Sequence, residues 1–393
     1  MKNRAAKAFA TTEKNVPLHQ LKHINGTTMQ ADNRRKYVIA FDSMKGCLSS
    51  EEAGQAAAEA IKQADGDAGT VVLTASDGGE GMLNAFTKAL GGSIERAYVH
   101  DPLMRRVWAE YGVTPDGTAI IETAQACGLT LVGEEERNPM RATTYGVGEL
   151  LAAAIGRGCR KFIVGLGGSG TSDAGIGMLR ALTDRLSPSG GTIDDALKGP
   201  LGLCRFMLAC DVGNPLCGEN GAAMVFARQK GATPEMPPQL ERRAARFARA
   251  SAMHFGFDRS NLPGAGAAGG LGYAFMQYMN AETRPGAELM LDICGFDAAI
   301  DGATCVITGE GHADRQTLMG KLPVSIMRRA GRKGVPVWLL AGRADDKEEL
   351  MKAGFAKVVS ITPDGMELAE ALEKDVAVRN INTKISELIK TKE

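Results

Sequence analysis

The sequence has no excess of either charge: 46 Lys and Arg stand against 46 Asp and Glu in 393 residues. No global basic field exists to hold nucleic acid or an anionic membrane, so a small molecule is the expected partner. The sequence contains no C-x-x-C pair, and its eight cysteines are scattered. This excludes a disulfide framework and a zinc ribbon and points to reduced thiols. Cys204, Cys210 and Cys217 come nearest to a cluster, but no histidine follows at ligand spacing. No stretch approaches the roughly 18 consecutive apolar residues of a spanning helix, and residues 1–36 hold no secretory apolar core. A soluble, cytoplasmic protein is expected. A Walker A sequence is missing, because Gly320-Lys321 is followed by Leu322, and so are the His-Arg-Asp and Asp-Phe-Gly signatures of protein kinases.

Glycine, by contrast, is abundant, with 49 residues against an ordinary share of roughly 7%. Tight turns and close backbone approaches must be frequent. The length suits two to three domains of ordinary size. Residues 1–35 read as a basic leader, a mobile arm before the first strand. From Tyr37 the pattern changes. Tyr37–Phe41 is a buried strand, Ser49 and Glu52 form a capping box for an alanine-rich helix to about Ala64, and Val71–Thr74 is a second strand. Strands alternating with helices imply an α/β protein with a doubly wound, mainly parallel sheet. Val107–Tyr111 and Thr118–Glu122, joined by a Pro115-Asp116-Gly117 turn, read instead as an antiparallel hairpin. Three late apolar runs, Cys305–Thr308, Val335–Leu340 and Lys357–Ile361, match the first two strands in kind. The expected arrangement is a discontinuous α/β domain, 36–80 with 288–386, interrupted by an inserted α/β domain, 81–287, that contains some antiparallel strands.

The stretch from Lys161 to Gly175 carries a strand into Gly167-Gly-Ser-Gly-Thr-Ser172 and out into a helix. Backbone N–H groups and a helix N-terminus gathered in one concavity are what phosphates need. Gly165-x-Gly167-x-x-Gly170 also fits a dinucleotide fingerprint, so a nicotinamide-dependent hydroxy-acid oxidoreductase is a competing reading. That match is weak, since Gly264-x-Gly266-x-x-Gly269 satisfies the same pattern without a preceding strand. The segments Asp42–Gly46, Ser76–Gly81, Gly309–Gln316 and Gly342-Arg343 all follow strands of the first set. In an open α/β sheet such ends form one ligand-binding rim. Lys45, Asp77, Glu80, Glu310, Asp314 and Arg343 are therefore expected to be neighbours. Phosphate donors, carboxylates for Mg²⁺, a cation and a proton-accepting carboxylate together suit phosphoryl transfer to a small hydroxylated molecule.

These loops, with Asn138-Pro-Met140, Tyr145-Gly-Val-Gly148, Asp211-Val-Gly-Asn-Pro-Leu216, Gln229-Lys-Gly-Ala232, Gly264-Ala-Gly-Ala-Ala-Gly-Gly270, Thr308-Gly-Glu-Gly311 and Gly320-Lys-Leu-Pro323, closely resemble the bacterial glycerate kinase family of the glycerate 2-kinase type. The resemblance runs from about Tyr37 to Asn380. It implies ATP-dependent phosphorylation of D-glycerate, a flavodoxin-like domain interrupted by a second α/β domain, and an active site between them. It departs from the family pattern at Ser172 and Ala174, where Asn and Gly are usual, and at Cys47, where Ser is common. On this basis Asp173, Lys45 and Asp77 are the expected catalytic residues, with Asp173 as general base or, alternatively, as a helix cap. Gly167, Gly168, Ser169, Gly170, Thr171 and Ser172 are expected to hold ATP, and Asp42, Ser43, Glu80 and Arg343 the substrate. Glu310 and Asp314 are expected to hold Mg²⁺. The protein is expected as a monomer or homodimer. A carbohydrate-diacid regulator that kept the fold and lost catalysis is the remaining alternative.

Overall fold

The computed structural model describes residues 34–44, 46–75 and 81–390. Lys45, Asp77, Glu80 and nearly all of the basic leader lie outside the described residues. Two strands open the fold, β1 (Lys36–Phe41) and β2 (Gly69–Val72). Six follow: β3 (Ser93–His100), β4 (Arg106–Val113), β5 (Thr118–Glu122), β6 (Lys161–Gly165), β7 (Arg205–Ala209) and β8 (Glu282–Arg284). Three more complete the set: β9 (Cys305–Ala313), β10 (Val337–Ala344) and β11 (Lys357–Ser360).

β1 buries five of its six residues, as an apolar run covered on both faces must. It pairs in parallel with β2 on one side and β9 on the other, giving the order β11-β10-β9-β1-β2. Counted within this sheet the order is 2-1-3-4-5, the flavodoxin-like, doubly wound arrangement whose switch point lies between β1 and β9. The carboxyl ends of those two strands lead to Asp42 and carry Glu310. α1 (Ser50–Ala64) starts at the Ser49/Glu52 capping box. It lies so close to the sheet that a Cβ on Gly54 would sit 2.7 Å from Val72 Cγ1.

The second sheet runs β3-β4-β5-β6-β7-β8, antiparallel through β5 and parallel beyond it. The Thr118–Glu122 strand is where the hairpin and the parallel half meet. Between the two sheets, α2 (Met82–Ala89) contributes Met82 and Phe86 to a core that contains Val38 and Val306 of the first sheet and Ile120 and Ala209 of the second. The helix Gly286–Ile293 adds Met290 and Leu291 to the same core. Burying about a dozen such side chains at roughly 2 kcal/mol each makes relative motion of the sheets costly.

β9 and β10 run four to five residues farther than their apolar stretches suggest, pairing through Glu310, His312 and Arg343. Glu310 and Arg343 thus stand on strand extensions instead of loops. Parallel pairing there satisfies the backbone whatever the side chains are.

Candidate active site

β6 passes through Leu166 into the glycine loop and reaches α3 (Ile176–Leu186) after Gly175, whose φ of +77° only glycine adopts at little cost. Gly167, Gly168 and Ser169 line a cleft of about 470 Å³, together with Asp211, Val212, Phe226 and Lys230. Gly170 and Thr171 turn inward: the Gly170 N–H donates to the Cys127 carbonyl, and Thr171 is fully buried. Of the six expected nucleotide residues, the cleft is lined by three, and Ser172 is not among its lining residues.

The second glycine run packs backbone to backbone on the first. The Ala174 N–H donates to the Gly269 carbonyl at 3.0 Å. A Cβ on Gly269 would press onto the Thr171 carbonyl oxygen and lie 2.7 Å from Ser172 Cα. Two residues with side chains are held in the left-handed region here, Ala174 at φ +55° and Ala268 at φ +51°.

Asp173 is 9% exposed, and both of its oxygens are engaged. Oδ1 accepts from the Gly175 N–H (3.0 Å) and Thr144 Oγ1 (3.1 Å). Oδ2 accepts from the Thr144 N–H (2.8 Å), the Gly177 N–H (3.1 Å) and Thr144 Oγ1 (3.0 Å). The carboxylate therefore joins the start of α3 to the segment 143–145. These contacts are those of a loop clasp.

The sequence pattern did not single out Lys230. It is 3% exposed and closes a single helical turn, Arg228–Lys230, before Gly231 at φ +87°. Its ammonium donates to Ser169 Oγ (2.9 Å) and to the Thr171 carbonyl (2.7 Å), both neutral. Burial pulls its pKa from 10.5 down to about 8, while the buried Cys127 thiol beside it is pushed up to about 12. Between pH 8 and 10.5 the unfolded chain binds more protons at this site than the folded one. Stability measured against Lys230→Met is thus expected to rise across that window, by on the order of 3 kcal/mol. Urea unfolding at pH 7.5, 9 and 10.5 checks it, and a flat difference would refute it.

On the first sheet's rim the expected residues fall into separate places. Asp42 and Ser43 line a pocket of about 310 Å³ with Ser49, Ser50, Thr74 and Lys88. Arg343 lines a different cleft of about 830 Å³ with His312, Asp345 and Lys347. There His312 Nε2 lies 2.8 Å from Asp345 Oδ2, and Arg343 Nε donates to Oδ1 at 3.1 Å. These two hydrogen bonds hold the Asp345 carboxyl below the usual range.

Glu310, 4% exposed, accepts from Thr317 Oγ1 at 2.6 Å and pairs with the Lys321 ammonium at 2.8 Å. Asp314 caps the next turn by accepting from the Gln316 N–H. Glu310 thus has a lysine beside it and Asp314 a backbone amide, and each carboxylate keeps lone pairs for a further partner. Among the described residues no three His, Cys, Asp or Glu side chains are grouped to hold a metal ion. The turn after β9 nevertheless reaches the second sheet: Met319 and Gly320 face Asp211 and Gly213 across a pocket of about 350 Å³.

The model of the glycerate kinase family matches residues 37–391. The chain belongs to the glycerate kinase family. It is 38% identical over 355 residues to a glycerate kinase of Bacillus subtilis strain 168, covering 86% of this chain and 93% of that one. It is equally 38% identical over 343 residues to the glycerate 2-kinase of Escherichia coli K12, covering 83% and 90%. The crystal structure of a glycerate kinase 2 candidate from Salmonella typhimurium LT2 superimposes with a TM-score of 0.78 at 36% identity, covering 91% of this chain and 98% of that chain.

For a member of the glycerate kinase family, the residues that sequence reasoning passed over stand inside motifs it had quoted: Lys230 in Gln229–Ala232, Asp211 in Asp211–Leu216 and Lys321 in Gly320–Pro323. Ala174 costs about 1 kcal/mol for its left-handed backbone at φ +55°. Its methyl group is buried in the second sheet's core, which offsets part of that cost. No helix among the described residues is long and apolar enough to cross a membrane.

Proposed function

We propose that the chain is an ATP-dependent kinase that phosphorylates D-glycerate to 2-phosphoglycerate, in the catabolism of glycerate and sugar diacids. The observation that carries this reading is the cleft formed by Gly167, Gly168, Ser169 and the buried ammonium of Lys230. In a chain of this family, such a cradle of backbone N–H groups and one cation suits the phosphates of ATP. The remaining specifics follow from that reading: a cytoplasmic enzyme, monomer or homodimer, using MgATP.

In the reaction the glycerate C2 oxygen bonds to the γ-phosphorus as the bond to the ADP oxygen breaks, and the hydroxyl proton passes to a carboxylate. Little covalent chemistry is required of the protein, so positioning and charge dominate. Asp173 is assigned here to positioning, because its oxygens are occupied by the donors that shape the cradle. The base passes to Asp77, with Lys45 as the cation against developing charge. The assignment of Asp42, Ser43, Glu80 and Arg343 to glycerate, and the division into domains 36–80 with 288–386 and 81–287, belong to the same proposal.

With MgATP and D-glycerate supplied together, ADP release is expected, and it should stop when either glycerate or the divalent cation is withdrawn. Coupled ADP detection gives the rate, and ³¹P NMR of the product distinguishes the 2-phosphate from the 3-phosphate. Glycerate binding without ADP release would favour the regulator instead.

A further inference from the structure

We propose that Lys230 is an oxyanion-recognition residue, whose ammonium takes a phosphate or carboxylate oxygen of a bound substrate in the glycine-loop cleft. The proposal rests on the kinase reading of that cleft and deepens it: the ammonium makes direct contact with an oxyanion, and whether that oxyanion is a phosphate or the glycerate carboxylate is what the test resolves.

Lys230 combines three properties seldom found together. It is almost completely buried, it lines the cleft, and among the described residues no carboxylate forms an ion pair with it. A buried ammonium whose hydrogen-bond partners are neutral costs several kcal/mol. If its task were only to hold Ser169 and Thr171, a neutral donor would serve at lower cost. Two of its three protons go to those residues, and the third has no partner among the described residues. An arriving oxyanion supplies both the missing acceptor and the missing charge.

The neighbouring charges agree with this. Asp173 acts on the ammonium through space, but its oxygens are committed to the Thr144, Gly175 and Gly177 donors. Cys127 remains a thiol at ordinary pH. Across the cleft Asp211 accepts from the Gly286 N–H. Lys230 is also rigidly placed: a Cβ on the next residue, Gly231, would come within 2.6 Å of Arg137.

Oxyanion contact raises the ammonium's proton affinity, so binding near pH 8.5 must draw in protons. The phosphates of a nucleotide and the carboxylate of glycerate are fully ionised there, and the uptake therefore reports on the protein. Calorimetric titration of the full-length chain in two buffers of different ionisation enthalpy measures it, with two probes used separately: a non-hydrolysable ATP analogue with Mg²⁺, and D-glycerate.

Uptake of a sizeable fraction of a proton is expected with the probe whose oxyanion meets Lys230, which identifies phosphate or carboxylate as the partner. Lys230→Met should weaken that same probe at least tenfold and abolish the uptake, and Lys230→Arg should bind it without uptake. Absence of uptake with both probes, absence of binding by both, or Lys230→Met binding both within twofold of wild type would each overturn the proposal. If Lys230→Met does not fold, the wild-type uptake alone decides. Normal glycerate turnover without uptake overturns this inference and leaves the kinase reading standing, whereas uptake without glycerate turnover does the reverse.

Discussion

Asp173→Asn is expected to lose on the order of 3 kcal/mol of folding stability, and glycerate turnover with it. One carboxylate oxygen receives the Gly175 N–H and the other receives the N–H groups of Thr144 and Gly177. Asparagine offers one acceptor and one NH₂ donor, so either amide orientation sets an N–H against a buried N–H. A buried donor left without an acceptor costs about 1–3 kcal/mol, and charge-assisted bonds are lost as well. The cradle then shifts, because Asp173 fixes the register of α3 against Thr144. A general base would behave differently: the midpoint would hold while turnover fell at least roughly a hundredfold. Urea unfolding and turnover measured on the same preparation separate the two. An unchanged midpoint with lost turnover would restore Asp173 as the base.

Gly269→Ala should be at least as damaging, costing about 3 kcal/mol or more together with ATP binding. The added methyl meets backbone on both sides, the Thr171 carbonyl oxygen and Ser172 Cα, which cannot rotate away as a side chain tip would. Its φ of +67° adds about 1 kcal/mol of left-handed strain. Gly295→Ala is the control, since Gly295 has a similar φ of +66° and open space around its would-be Cβ. That variant should lose only about the conformational 1 kcal/mol. Thermal unfolding of the two variants side by side gives the comparison, and equal losses would show that the contact between the glycine runs is unimportant.

Much of the fold is legible in the sequence, because a fully buried strand such as Tyr37–Phe41 must be a continuous apolar run, and Phe162–Leu166, buried but for a half-buried Ile163, reads the same way. The Ser49/Glu52 capping box likewise survives into the structure. β3 escapes the same reasoning: Ser93–His100 is an edge strand, largely exposed, and its Glu95 and Arg96 hide its alternation. The extensions of β9 and β10 escape for another reason, since pairing between neighbouring parallel strands continues where side-chain hydrophobicity has already stopped.

The candidate site is legible as motifs and less so as geometry. A glycine run shows that backbone must come close to something, but not whether that something is a ligand. Here Gly167 and Gly168 face a cleft, whereas Gly269 faces other backbone and Gly270 the Leu216 side chain and Ala174. A lone lysine such as Lys230 reads as a solvated surface charge until the fold buries it. Glu310 and Asp314 read from the sequence as bare rim carboxylates, whereas the fold sets the Lys321 ammonium and the Gln316 N–H on them.

The pairing of Tyr37 with Cys305 and of Phe41 with Gly309 dictates the order in which the molecule can be assembled. During synthesis β1 emerges first, yet the neighbour that fills its second edge is made more than 260 residues later. The whole of the second sheet, from Ser93 to Arg284, can be translated and paired in that interval. Non-local strand pairings are slow to form, and an unpaired apolar strand is a template for aggregation while it waits. The stretch Val38–Phe41 is therefore a segment of the nascent chain that needs protection until Cys305–Gly309 has been released to cover it.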